Sequence, residues 1–155
     1  MLSKPDAGWT SFQLGSPDTE YRLSYLTDVA EEWLTQAIHG LETMDVFSVH
    51  GFCEPNRMVC TVSYWSCYVI FEGDCREPSC YDVHHLHINM MDFCKMLHND
   101  ISDNLEDWVN WDLDNDDDDI DLDQRRESLQ GKLDELKRLI EKKEEYFADI
   151  RCTFF

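Results

Sequence analysis

Apolar residues recur at two different periods along the chain, and the changes of period divide it into elements. Trp9 to Leu14 and Tyr21 to Leu26 are short aromatic and aliphatic runs separated by Gly15-Ser16-Pro17-Asp18. Pro17 fixes φ in that turn-rich connection, so the pair predicts a β-hairpin. Asp28, three residues before Glu31, has the spacing of a capping box with Asp in place of Ser or Thr. A helix is expected to follow, because Ala30, Trp33, Leu34, Ala37, Ile38 and Leu41 recur at three- and four-residue spacing up to about Met44.

From Asp45 the period falls to two. Val46 to Phe52, Arg57 to Val62, Cys67 to Glu72 and Tyr81 to Ile88 are rich in β-branched and aromatic residues and are broken by short polar stretches. Connections this short cannot carry crossover helices, so consecutive antiparallel strands are expected. The period then lengthens again. Phe93, Leu97, Ile101, Leu105 and Trp108 form an i, i+4 stripe that predicts a helix from Asn89 to Trp111, with Asp100, Asp103, Glu106 and Asp107 facing outward. Leu129, Leu133, Leu136, Ile140 and Phe147 predict another from Gln124 to about Phe147, capped by Asp121 or Asp123. Two heptads are too few to signal a coiled coil, so this helix is expected to pack on its own domain, and the apolar tail Thr153-Phe154-Phe155 to dock.

The expectation is an α+β fold: an antiparallel meander of about five to six strands with three helices packed largely on one face. At 155 residues one domain is expected, comprising the sheet and first helix (1–88), a helix (89–111), an acidic loop (112–123) and a C-terminal helix (124–147). A hydrophobic content of 43% is enough for a core. No apolar signal segment or spanning run is present, so a cytoplasmic protein without membrane contact is expected. Seven cysteines without a secretory signal read as reduced thiols.

Charge alters this picture most. The net charge is −20, and residues 99–123 carry 12 acids and no base. Asp112 to Asp123 alone holds eight carboxylates in twelve residues. Ionised carboxylates lose hydration at a cost greater than packing returns, so this run must meet water, a cation or a basic partner. Such a field repels nucleic acids and anionic membranes and steers positively charged surfaces.

Two metal arrangements are worth weighing. Asp112, Asp114, Asp116 and Asp118 occupy positions 1, 3, 5 and 7 of a twelve-residue loop ending at Asp123, as in an EF-hand. The loop departs from that pattern, with Asp117 where Gly makes the turn, Asp119 at an aliphatic position and Asp123 in place of a bidentate Glu. Calcium therefore ranks behind a solvated linker or a partner-facing surface. His85 and His87 project to one face of a strand, and Cys75 and Cys80 could complete a Cys₂His₂ zinc site. The thiol spacing is not a standard one, so a polar sheet face with incidental cysteines is preferred and no cofactor is expected. Cys60, Cys67 and His50 sit in strand-like runs where a small thiol fills core, and no nucleophile motif or phosphate loop occurs. Trp108 reads as core stripe. Trp111 stands beside the carboxylates as a candidate aromatic anchor for a partner.

Gly8-Trp9-Thr10-Ser11-Phe12-Gln13-Leu14-Gly15, with Ser24-Tyr25-Leu26-Thr27-Asp28-Val29 and the helix after it, resembles a family of small acidic bacterial proteins of unknown function. The resemblance covers the first third of the chain, carries no site residues, and implies a bacterial or phage cytoplasm. The leading expectation is a non-catalytic module that occupies a basic protein. Examples would be an immunity protein against a toxin, or a nucleic-acid-mimicking inhibitor of a nuclease. Asp100, Asp103, Asp107, Trp111, Asp112, Asp114, Asp116, Asp117, Asp118, Asp119 and Asp121 would form its contact surface. The alternatives are a calcium-binding module using residues 112–123 and an enzyme whose site a single sequence hides.

Overall fold

The period-two segments form an antiparallel meander. In the computed structural model, which describes residues 1–15, 20–73, 81–111 and 121–153, β3 (Phe47–Phe52), β4 (Arg57–Val62), β5 (Cys67–Glu72) and β6 (Tyr81–Leu86) make a four-stranded sheet in chain order. Two of the strands match the expected bounds to the residue. The hairpin β1 (Trp9–Gln13) and β2 (Glu20–Ser24) pairs as a separate two-stranded sheet, so the six strands divide two and four.

Alternation decides which side of the meander is inside. Val49, Cys60 and Val69 lie side by side across β3, β4 and β5 and are fully buried. The hairpin supplies Phe12 and Leu23 to the same core, and Leu23 packs where Gly51 has no side chain. A Cβ on Gly51 would stand 2.9 Å from the Leu23 methyls.

α1 (Val29–Thr43) starts as its sequence predicts, with the Asp28 carboxylate accepting from the Glu31 backbone N–H at 3.3 Å. Met44 ends it in the left-handed region at φ 62°. Trp33, fully inside, donates its indole N–H to the His50 carbonyl at 2.8 Å and so ties α1 to β3. Gly40 brings the two closer still, because a Cβ there would meet the Phe47 ring at 2.1 Å.

The single helix expected over 89–111 is two, α2 (Met90–Ser102) and α3 (Leu105–Val109). Asn104 leaves the helical region at φ −127°, ψ 32°, and its side-chain amide donates to the Asp100 carbonyl at 3.1 Å. That bond satisfies a helix-end carbonyl which the chain can no longer reach. The stripe continues across the break, since Phe93, Leu97, Ile101 and Trp108 are all fully buried. The last helix, α4 (Leu122–Thr153), runs beyond both expected ends. Its 32 residues span about 48 Å. Leu129, Leu133, Leu136 and Phe147 are buried as the spacing predicted, while Leu139 goes inside and its neighbour Ile140 is only partly covered. The helices and hairpin join the sheet's inner face in one apolar cluster.

Candidate functional site

The acidic end of the molecule is built on α3 and the first turn of α4. The two helices are locked by Arg125, only 10% exposed, whose guanidinium forms a two-pronged ion pair with Asp28 and also donates to the carbonyls of Trp108 and Val109, each at 3.2 Å. Asp28 therefore holds both its own helix N-terminus and α4. Nothing in the sequence links two residues 97 positions apart, so this clamp had no signal to find. The next residue, Arg126, bridges Glu106 at 2.8 Å and Asp123 at 2.7 Å. The guanidinium holds the Glu106 carboxyl below the usual carboxylate range.

The residues expected to meet a partner are distributed unevenly. Asp100 faces inward, accepting from the Leu2 backbone N–H at 2.7 Å and lying 3.1 Å from the N-terminal ammonium. Asp107 pairs with Lys4 at 3.1 Å near the surface. Asp103 closes α2 and is exposed. Asp121, also exposed, caps α4 by accepting from the backbone N–H groups of Asp123 and Gln124 at 3.0 and 3.1 Å, while Asp123 turns to Arg126. Trp111 departs from expectation. It is 4% exposed and packs on Trp108 with ring centroids 5.2 Å apart, so it is core and not a surface anchor. The apolar stripe of α2 and α3 simply extends two residues past the helix and takes the indole with it. Asp112, Asp114, Asp116, Asp117, Asp118 and Asp119, with the calcium-loop positions among them, lie outside the described residues.

A cleft of about 190 Å³ lies beside Trp111, lined by Pro5, Asp6, Ala7, Gly8, Asp107 and Asn110. The buried indole N–H groups of Trp108 and Trp111 have no hydrogen-bond partner among the described residues.

The second constellation is realised in part. His85 and His87 do share a face and are both exposed, with ring centroids 4.8 Å apart. Tyr68, opposite His85 across the β5–β6 ladder, stacks on its ring at 4.7 Å and 16°. His84 belongs to the other side of the strand and lies 3.2 Å from Asp82. Cys75 and Cys80 lie outside the described residues, and among the described residues no three potential ligands converge. The thiols of Cys60 and Cys94 are fully buried; the neighbouring Cys67 thiol and then burial push Cys60 away from ionisation, and burial does the same to Cys94. A nucleophile needs the reverse.

Among the described residues no helix is long and apolar enough to cross a membrane. Comparisons with protein-family models, curated proteins and solved structures find no match to this chain.

Proposed function

We propose that the protein is a non-catalytic, stoichiometric binding module. It would present the acidic stretch around residues 112–123 to a basic protein in a bacterial cytoplasm, as an immunity protein or a nucleic-acid-mimicking inhibitor does. One observation carries the reading: the ion pairs of the described residues consume Lys4, Arg57, Lys95, Arg125, Arg126, Lys132 and Arg138 on acids outside 112–120. Seven of the chain's 13 Lys and Arg residues thus have acidic partners among the described residues, of which Asp123 alone belongs to the 112–123 stretch, and the surplus of charge looks to an outside cation or partner. The scaffold fixes both approaches to the run, with Trp111 buried on one side and Asp121 capping α4 on the other. Held ends limit the ordering that binding must supply.

The test compares the full chain with a variant carrying Asp116, Asp117, Asp118 and Asp119 changed to Asn, both immobilised and exposed to lysate of the source cell. A basic protein retained in one-to-one ratio by the wild type is expected. Its association should slow steeply with added salt and be slow at all salt concentrations for the variant. Equal retention by both chains, or association indifferent to salt, overturns the proposal. A calcium-dependent rise in melting temperature that the variant loses would reassign the run to an ion.

A further inference from the structure

The outward face of β6 carries an arrangement that the acidic module does not use. His85 and His87 are two residues apart, so the strand puts them on one side. Both rings are exposed, their centroids are 4.8 Å apart and their planes meet at 65°. The stacked Tyr68 ring supports His85 and limits its rotation. A transition ion sits roughly 2.0–2.1 Å from an imidazole nitrogen, which places it roughly 3.2 Å from the ring centroid. Two imidazoles sharing one ion should then have centroids roughly 4.5 Å apart at a right angle and roughly 5.2 Å apart at the tetrahedral angle. The observed 4.8 Å falls between these limits.

We propose that His85 and His87 form a chelating site for one divalent first-row transition ion of the nickel, copper and zinc group. Water fills the remaining positions. Two imidazoles suit that group, whereas the carboxylates elsewhere on the chain suit calcium and magnesium. The net charge of −20 enriches cations at the surface as a whole. His84 takes no part, because it faces the opposite side of the strand with Asp82. The site stands without Cys75 and Cys80 and is independent of the partner-binding proposal.

Untagged, metal-stripped full chain is titrated with Ni²⁺ by calorimetry in excess Mg²⁺, which occupies the carboxylates. One equivalent is expected to bind. H85A and H87Q should each weaken binding by about tenfold or more, since even loss of a supporting residue costs tenfold to a hundredfold, while H84A should leave it unchanged. Because His87 lies just past the strand, H87Q keeps the test valid even if H85A disturbs the sheet. Copper electron-spin resonance should show two equivalent nitrogens in the wild type and one in H87Q. Equal nickel affinity of wild type and H87Q, an equal loss in H84A, or no binding at all overturns the site.

Discussion

Changing Asp28 to Ala tests how the acidic end is held. The carboxylate performs two separate tasks: it accepts the first N–H bond of α1, and it neutralises Arg125 across the helix interface. Loss of an N-cap acceptor costs about 1 kcal/mol. Loss of the counter-charge leaves a guanidinium, 10% exposed, facing only the carbonyls of Trp108 and Val109 among the described residues. Stranding one member of a buried pair costs about 3–5 kcal/mol, and the lower end applies because Asp28 keeps 19% of its side-chain surface in water. D28A is therefore expected to lose about 4 kcal/mol of unfolding free energy. D28N keeps a capping oxygen, so it should lose about 3 kcal/mol. The double variant D28A/R125M has no stranded charge, and it should lose clearly less than the sum of its parts. Urea unfolding followed by far-ultraviolet circular dichroism reads all of these, provided the m-value stays constant. A loss under about 1 kcal/mol in D28A, or strict additivity in the double variant, would refute the reasoning.

Four further outcomes follow from the same physical picture. G40A should destabilise by at least about 1–3 kcal/mol in thermal unfolding, since the new methyl meets the Phe47 ring at 2.1 Å and a helix-propensity gain of about 1 kcal/mol cannot offset that. G131A should do the opposite, raising stability by about 0.5–1 kcal/mol in the same experiment, because nothing lies within 4 Å of the added Cβ on α4. Arg126 depresses the Glu106 pKa, so the pair's contribution is present at neutral pH and is lost as pH falls through the depressed value of the folded state. Carboxyl-carbon NMR should place Glu106 below 4.5 in the wild type and near 4.5 in R126A. Iodoacetamide at neutral pH should leave Cys60 and Cys94 unlabelled in the native protein and modify them in denaturant. Cys53, its thiol pushed up to about 11 by burial, should label slowly, and mass spectrometry distinguishes the three.

The elements that could be read from sequence are those whose signal is local. β4 and β5 fall where the alternation of Arg57–Val62 and Cys67–Glu72 puts them, and Asp28 caps α1 because a side chain three residues from its target needs nothing else. The break between α2 and α3 was hidden because the buried stripe from Phe93 to Trp108 keeps its spacing through it. The Asn104 side chain, bonding back to the Asp100 carbonyl, marks the site, and Ser102-Asp103-Asn104 inside a continuous apolar stripe is a weak signal. Trp111 and Ile140 depart from expectation for a related reason: where a stripe runs off a helix or a helix rotates slightly, the neighbours in space decide which side chain is covered. The pairing of His85 with His87 was legible from a two-residue step, but the Tyr68 stack needed the register of β5 against β6. The Arg125 clamp belongs to tertiary structure alone.

Trp111 and Asp121 make the scaffold and the acidic stretch separable. Trp111 packs on Trp108 and Asp121 caps α4, so contacts among the described residues hold both flanks, and substitutions or insertions in residues 112–120 are expected to leave those contacts in place. Doubling the length of such a connection costs only about 0.6 kcal/mol. The fold can therefore diversify that stretch in length and charge while the rest of the chain stays fixed, much as an antibody framework carries interchangeable loops.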